Sequence, residues 1–260
     1  MNLRLNNKYA LVCGSTAGIG KATAIALAEE GVIVTLIARN ENKLKTVLSE
    51  LPQHRNHDYI VADFSNPIDL KEKVSQYISK HHGFHILVNN TGGPAGGPVF
   101  SAKVEAFESA FTQHLKCNHV LVQAVVPFMK DEGYGRIINV ISTSVKQPLD
   151  GLGVSNTIRG AVANWSKTLA NELGQFGITV NNVLPGATGT ERLTEIIKNK
   201  SSKTGKTETE AADAMKNAVP AKRFAKPEEL ADAITFLASE RAGYINGIHL
   251  PVDGGRTKSL

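Results

Sequence analysis

The stretch LVCGSTAGIG, residues 11–20, decides the fold. An apolar run of strand length stops at Gly14, and a helical pattern starts near Gly18 and continues to Glu30. A strand, a glycine turn and a helix form the phosphate-binding unit of dinucleotide folds, where phosphates lie at the helix N-terminus. The spacing is Gly-x-x-x-Gly-x-Gly rather than the commoner Gly-x-Gly-x-x-Gly. This stretch alone is therefore equally compatible with an ordinary strand–turn–helix connection.

Each glycine of this turn has a predicted task. Gly14 makes the tight turn, Gly18 lets the backbone approach a pyrophosphate, and Gly20 lets the helix pack closely on the strand. The same turn predicts three further contacts to the cofactor phosphates, from Ser15, Thr16 and Ile19.

Length and composition restrict the class of protein. The chain has 260 residues with two cysteines and a formal net charge of +5. Without a linker or repeat, we expect one domain over residues 1–260. Two cysteines favour a reducing, cytoplasmic setting. No apolar run approaches the roughly 20 residues of a membrane span, and no dense basic block suggests nucleic acid. We therefore expect no membrane, nucleic-acid or metal partner.

Strands and helices alternate along the rest of the chain. This pattern predicts an α/β Rossmann fold, a single doubly wound parallel sheet of about seven strands with helices on both faces. A polar, lysine-rich segment at about 191–218 is interpreted as a mobile lid insertion. After residue 20, strands are predicted at 32–38, 59–62, 86–88, 135–141, 178–184 and 248–250. Helices are predicted at 44–51, 70–78, 104–129 (interrupted or ended around Pro127), 152–176 and 227–237.

The end of the second strand predicts which cofactor is used. An acidic residue there would hold the ribose 2′-OH of NAD, but this chain has Arg39. A guanidinium pairs with a 2′-phosphate, so we predict NADP(H); the alternative is that Arg39 only faces solvent. Asp63, which ends the third strand, either accepts the adenine amino group or caps a turn.

The chain resembles the short-chain dehydrogenase/reductase family over essentially its whole length, and is most similar to 3-oxoacyl-acyl-carrier-protein reductases, which use NADPH. The resemblance implies a cofactor site that adds Phe64, Asn90, Gly92, Arg159, Pro185, Gly186, Thr188 and Thr190 to the residues above. It is carried by Gly14-x-x-x-Gly18-Ile19-Gly20, Asp63, Asn89-Asn90-x-Gly92, Gly135-Arg136-Ile137, Ser142, Asn182-Val183-x-Pro185-Gly186, Thr190, Arg223-Phe224-x-x-Pro227-Glu228-Glu229 and Val252-Asp253-Gly254-Gly255.

One part of the chain departs from this family. Members carry an Asn-Ser-Tyr-Lys tetrad, in which the tyrosine lies 13 residues after the serine and the lysine four residues later. Ser142 matches the serine, but Ser155 replaces the tyrosine, Arg159 replaces the lysine, and His114 aligns with the asparagine.

Two hypotheses follow from this departure. In the first, the chain reduces a ketone such as a 3-oxoacyl thioester. Ser142 and Ser155 would hold the oxygen, Arg159 would bind the ribose or stabilise charge, and His114 or water would deliver the proton. In the second, the chain binds NADP(H) but has little reductase activity and acts as a regulatory or scaffold protein. A non-redox lyase or isomerase has less support, because no other acid–base pair stands out.

Two kinds of partner are expected. The substrate is a small-molecule or carrier-linked ketone, and Lys198, Lys200, Lys203 and Lys206 of the lid either contact an acidic carrier or are simply solvated. In the family, the two long helices pair across a two-fold axis, which implies a homotetramer or a homodimer.

Overall fold

The computed structural model describes residues 1–53 and 55–259. Within them, seven parallel strands form one sheet in the order β3-β2-β1-β4-β5-β6-β7. This confirms the predicted Rossmann architecture. The strands are β1 (Tyr9–Cys13), β2 (Ile33–Ala38), β3 (Asp58–Val61), β4 (Ile86–Asn89), β5 (Gly135–Val140), β6 (Ile178–Pro185) and β7 (His249–Val252). The helices are α1 (Gly18–Glu29), α2 (Glu41–Glu50), α3 (Pro67–Lys80), α4 (Val104–Phe111), α5 (Cys117–Asp131), α6 (Gly153–Leu173), α7 (Glu191–Thr204), α8 (Glu208–Asn217) and α9 (Pro227–Ala238).

The strand order reverses at β1, which pairs with β2 on one side and β4 on the other. Val12, for example, lies opposite Leu36 and opposite Val88. In sheets of this kind, ligands bind outside the carboxyl ends of the strands at the point of reversal. The fold therefore directs attention to the segments that follow β1 and β4.

Two apolar cores cover the two faces of the sheet. Side chains along a strand point alternately to opposite faces, and β1 shows this directly. Val12 packs in one core with Leu27 of α1 and Ile234 of α9, whereas Leu11 packs in the other with Leu121 of α5. Each core holds its helices against the sheet and so fixes the strand ends that surround the crevice.

The predicted break at Pro127 is wrong. Helical structure runs from α4 through a π-helical segment, Thr112–Lys116, into α5, and Pro127 lies inside α5. Core packing of Leu121, Val125 and Met129 on both sides of the proline accounts for this, because tertiary packing dominates helix stability. The irregularity lies instead at the π-helical segment, which carries His114.

The predicted lid is helical. Residues 191–218 form α7 and α8, and each begins at a threonine cap. The Thr190 hydroxyl accepts from the Leu193 N–H, and Thr207 forms a reciprocal capping box with Glu210. Among the described residues, none of the helices has both the length and the apolar character needed to cross a membrane.

Candidate active site

The turn between β1 and α1 is tightly packed. Gly14 has φ +58°, and a Cβ there would come within 2.5 Å of the Asn90 carbonyl oxygen. A Cβ on Gly20 would collide with the Gly14 carbonyl oxygen, and one on Gly18 would lie 3.0 Å from Thr190 Cγ2. Close approach of neighbouring backbone thus requires a glycine at positions 14 and 20, and Gly18 has φ +53°, a conformation that favours glycine.

The N-terminus of α1 is free to bind an anion. Its N-cap residue, Ala17, makes no side-chain cap, and its first turn carries no acidic residue. Ser15, in the turn before it, is fully buried, and its Oγ has no hydrogen-bond partner within the described part of the chain. Uncapped helix amides beside an unpaired hydroxyl suit a phosphate group. The turn therefore fits a dinucleotide.

Asn90 ties the loop after β4 to this turn. Its side-chain Nδ2 donates to the carbonyl oxygens of Cys13 and Gly14 at 3.3 and 3.4 Å. Just beyond it, a Cβ built on Gly92 would meet no atom within 4 Å. The loop is thus anchored at its start and leaves open space beside the glycine turn.

Two predicted adenosine contacts follow neighbouring strands. Arg39, after β2, is exposed, and its charge helps to lower the pKa of Asp63, after β3. The larger cause of that lowered pKa is the Ser65 N–H, which donates to the Asp63 carboxylate at 2.9 Å. Asp63 therefore caps a turn, whereas Arg39 is free to meet a phosphate. Phe64 is buried and its carbonyl accepts from Cys117 Sγ.

The segment after β6 closes the crevice from the other side. Gly186 N–H donates to the Val252 carbonyl at 3.0 Å, and a Cβ on Gly186 would lie 2.6 Å from Asp253 Cα. Thr188 donates to the Gly186 carbonyl and Thr190 to the Thr188 carbonyl, at 3.2 and 3.3 Å. These bonds hold the segment that starts at Pro185 over the first glycine turn.

Three of the four predicted catalytic side chains belong to the end of β5 and to α6. Arg159 Nη1 donates to the Val140 carbonyl at 3.1 Å, two residues before Ser142. Ser155 lies one helical turn before Arg159, on the same face of α6. Ser142 itself accepts from the Ser144 N–H at 3.1 Å. α6 thus contacts the carboxyl end of β5 through Arg159.

Arg159 is a buried cation. Its side chain makes no ion pair with a carboxylate in the described residues, and burial lowers its pKa to about 10. It therefore keeps its positive charge at neutral pH. An uncompensated buried charge is costly, so a group with negative or partial negative charge is favoured beside it.

His114 lies in the π-helical segment and is 1% exposed. Burial, with a smaller effect of the nearby Arg159 charge, lowers its pKa to about 3. The sequence predicted His114 as a possible proton donor. Its lowered pKa contradicts this, because the ring is neutral over the physiological range. Its Nδ1 lies 2.6 Å from Thr91 Oγ1.

Sequence reasoning missed two features of this region. Thr91 was not singled out, because its bond to His114 joins positions 23 residues apart. A row of buried side chains was also missed. Asn89 donates to Asn139, Asn139 to Asn182, and the Asn182 amide meets His249 Nδ1, at 2.8, 2.9 and 3.0 Å. Asparagines inside otherwise apolar strands were the available signal.

No group of three or more His, Cys, Asp or Glu side chains that could hold a metal ion occurs in the part of the chain described by the structure.

Comparison with known proteins shows similarity along nearly the whole chain. A family model described as enoyl-(acyl carrier protein) reductase matches residues 14–257. The NADPH-dependent reductase BacG of Bacillus subtilis (strain 168) is 30% identical over 260 residues, covering 98% of this chain and 100% of BacG. Glucose 1-dehydrogenase of Gluconobacter oxydans (strain 621H) is 36% identical over 259 residues, covering 98% and 93%.

A solved structure is similar in both fold and sequence. The crystal structure of L-sorbose reductase from Gluconobacter frateurii, complexed with NADPH and L-sorbose, matches with a TM-score of 0.93. The two chains are 32% identical, and the match covers 100% of each.

Proposed function

Because the chain belongs to the short-chain dehydrogenase/reductase family, we propose that it is an NADPH-dependent reductase that converts a ketone into an alcohol. The single observation that carries this proposal is that two sites follow the carboxyl ends of strands in the same parallel sheet. A glycine turn with uncapped helix amides and an unpaired Ser15 hydroxyl follows β1, and a cluster of hydroxyls with a buried cation follows β5. The first binds phosphate and the second binds a polarised oxygen.

The chain's own residues account for cofactor choice. Ser15, Thr16 and the first-turn amides of α1 bind the pyrophosphate, and the segment from Pro185 to Thr190 lies over the nicotinamide. Exposed Arg39 pairs with the 2′-phosphate, and this favours NADPH over NADH. When bound, NADPH supplies the hydride that reduces the carbonyl carbon, while a proton from solvent completes the hydroxyl.

The residues around the carbonyl oxygen stabilise negative charge. Ser142 and Ser155 donate hydrogen bonds to it, and the Arg159 charge lowers the energy of the developing alkoxide. His114 is neutral because of its lowered pKa, so it does not act as an imidazolium acid. The serines replace the tyrosine of the family as oxygen ligands, and water supplies the proton.

The finer proposal is a 3-oxoacyl thioester as substrate. The acyl-carrier-protein reductase resemblance and the exposed lysines of α7, at positions 198, 200 and 203, support it, together with Lys206. These charges suit the phosphate of a pantetheine arm or an acidic carrier. We expect KM for a carrier-linked 3-oxoacyl substrate to rise steeply with salt, while KM for the uncharged pantetheine analogue stays constant.

The experiment that tests this function combines binding with turnover. NADPH and NADH are titrated by fluorescence, and NADPH consumption is followed with acetoacetyl thioesters, L-sorbose, cyclic ketones and a 2-enoyl thioester. Tight NADPH binding with turnover of a ketone is the expected result. Turnover of the enoyl thioester alone would replace ketone reduction by reduction of a C=C bond. Absence of NADPH binding would contradict the proposal.

The alternative is an NADP(H)-binding protein without reductase activity. Ser155 favours it, because a serine hydroxyl is a far weaker acid than the family's tyrosine. The double variant Ser155→Tyr, Arg159→Lys separates the two functions. If the wild type has no turnover and the double variant has substantial turnover, the site binds the ketone correctly but lacks a proton donor. Wild-type turnover that falls in the double variant would show that the serine–arginine site is the working one.

The proposed assembly is a homotetramer or homodimer. Val104 and Phe111 of α4 are 67% and 38% exposed, and Phe100 just before α4 is fully exposed. A second copy of the chain would cover these side chains. Light scattering of the purified protein tests this, and a monomer in which Phe100→Ser has no effect on solubility would contradict it.

A further inference from the structure

Thr91 and His114 form a short hydrogen bond that joins two irregular segments. Thr91 lies in the loop after β4, and His114 lies in the π-helical segment between α4 and α5. Thr91 Oγ1 and His114 Nδ1 are 2.6 Å apart. Segments of π-helix occur frequently at functional sites. The bond therefore fixes the ring at a place where the helix itself is locally reshaped.

Either Thr91 Oγ1 or His114 Nδ1 can donate in this bond, depending on which ring nitrogen carries the proton. We assign the donor role to the Thr91 hydroxyl, so that Nδ1 accepts. Because His114 is neutral, its single ring proton then lies on Nε2.

Nε2 is the end of the ring that has no partner. It is buried, and no described residue forms a hydrogen bond with it. Leaving a buried donor unpaired costs free energy, and native proteins rarely tolerate it without a functional reason. The nearby Arg159 charge lowers the His114 pKa, which places the ring in the same electrostatic environment as the α6 side chains. The N–H thus lacks an acceptor from the described residues, and a substrate oxygen would satisfy it.

We propose that Thr91 is a positioning residue that holds His114 as a neutral imidazole whose Nε2–H donates to the carbonyl oxygen of the substrate. The inference rests on the proposed reductase function and adds a ligand of that oxygen to it. Neutral imidazoles polarise carbonyl groups in this way when their surroundings keep them uncharged. No proton leaves the ring; the N–H bond is kept and the oxygen takes its proton from solvent.

The first test reads the ring directly, without substrate. In the ¹⁵N-histidine-labelled protein, His114 should show a protonated Nε2 and an accepting Nδ1, with no titration between about pH 5 and 8. Thr91→Val, which keeps the shape but lacks the hydroxyl, should shift the Nδ1 resonance, and Thr91→Ser should restore it. A proton on Nδ1, or an unchanged spectrum in Thr91→Val, would overturn the inference.

The second test uses turnover. Thr91→Val should lower kcat about 100-fold, the size expected for a misplaced oxygen ligand, with the NADPH dissociation constant within about twofold of wild type. Thr91→Ser should keep kcat within about threefold. Thr157→Val is the matched control, because it removes one threonine hydroxyl bond, to the Gly153 carbonyl, on an exposed face of α6. Equal losses in Thr91→Ser and Thr91→Val would contradict positioning by the hydroxyl.

The two tests fail separately. A protein that binds NADPH but reduces no ketone would contradict the proposed function, while the ring spectrum would still decide whether Thr91 sets the tautomer. A spectrum with the proton on Nδ1, in an active enzyme, would contradict the roles of both Thr91 and His114 and leave the proposed reductase function standing. Addition of NADP⁺ with the reduced ketone should then perturb Nε2–H, and an unperturbed resonance at saturation would exclude His114 as the oxygen ligand.

Discussion

His85 and His114 are both buried, and they lie at opposite ends of the strands of the same sheet. His85 precedes β4 at the amino ends of the strands, where its Nδ1 accepts from the Tyr9 N–H at 3.1 Å and its Nε2 lies 3.6 Å from Glu132. His114 lies beyond the carboxyl ends, with Thr91 on one nitrogen and no partner on the other. The difference is in the partners of the ring, not in its burial.

The pKa values do not separate these two histidines. Burial, together with Lys8, lowers the pKa of His85 to about 4, and burial with Arg159 lowers that of His114 to about 3. A perturbed pKa is often used to suggest a functional site, but here the pKa is lowered for the histidine at each end of the strands. The unpaired nitrogen distinguishes the ring that is free to meet a ligand from the ring that holds a strand.

The largest expected effect is a loss of stability in acid, shared by both histidines. Their pKa values are lower in the folded state than the 6.5 of an unfolded chain, so the unfolded state binds more protons as pH falls below about 6.5. The free energy of unfolding should fall by several kcal/mol between about pH 7 and 4. Urea unfolding at each pH measures it.

Single variants show which ring carries this loss. His85→Asn and His114→Asn should each flatten the pH dependence, because each removes a group that titrates only on unfolding. The exposed His119 is the control, and His119→Asn should leave the slope as in wild type. If the free energy of unfolding of His85→Asn depends on pH as in wild type, His85 does not contribute to the loss of stability in acid.

The turnover rate should distinguish the two histidines. His114→Asn keeps an acceptor near the Nδ1 position but lacks the Nε2–H, so we expect kcat to fall about 100-fold, or about 2.7 kcal/mol. His85→Asn should leave kcat within about twofold. Steady-state rates between pH 6 and 9, roughly the range around an ordinary imidazole pKa, provide the measurement, and equal rates for wild type and His114→Asn would remove His114 from the reaction.

At neutral pH, replacing His85 should lower the free energy of unfolding more than replacing His114. His85→Ala leaves the buried Tyr9 N–H without its acceptor and removes the edge-on ring contact with Phe128. We expect a loss of about 2 kcal/mol in the free energy of unfolding, partly recovered in His85→Asn. His114→Ala should cost less, because the ring has only one bond to lose. A larger loss of free energy of unfolding in His114→Ala than in His85→Ala would contradict the assignment of the structural role to His85.

The smallest expected effect concerns the adenosine end of the crevice. Arg39→Ala should raise the dissociation constant of NADPH about tenfold, or about 1.4 kcal/mol, and leave that of NADH within about twofold. Lys43→Ala, which removes a nearby exposed positive charge, is the matched control. Equal weakening of both cofactors by Arg39→Ala would show that this arginine does not read the 2′-phosphate.

The sequence predicted well what depends on local pattern. Apolar runs of strand length predicted the seven strands, and the glycine spacing predicted the turn between β1 and α1, because both are fixed within about a dozen neighbouring residues. It failed at Pro127, where local propensity indicated a break and packing of the neighbouring apolar side chains kept the helix intact. The helices of the lid were readable in principle, since Thr207 and Glu210 have the spacing of a capping box.

Long-range pairing explains what the sequence did not predict in the site. The depressed pKa of His114 depends on burial and on Arg159, 45 positions further along the chain. The bond to Thr91 depends on how closely the π-helical segment approaches the loop after β4. Neither contact has a local signature in the sequence, so the residue types alone suggested His114 as a proton donor.

The row of asparagines beneath the site has a consequence for how the molecule carries a signal. Each amide from Asn89 through Asn139 to Asn182 donates in the same direction, and the row finishes on the Nδ1 of His249. One amide cannot turn over without setting two donors or two acceptors face to face, so the row can reverse only as a whole. A proton placed on Nδ1 of His249 would therefore invert the amide dipole of Asn89, three strands away in the sheet.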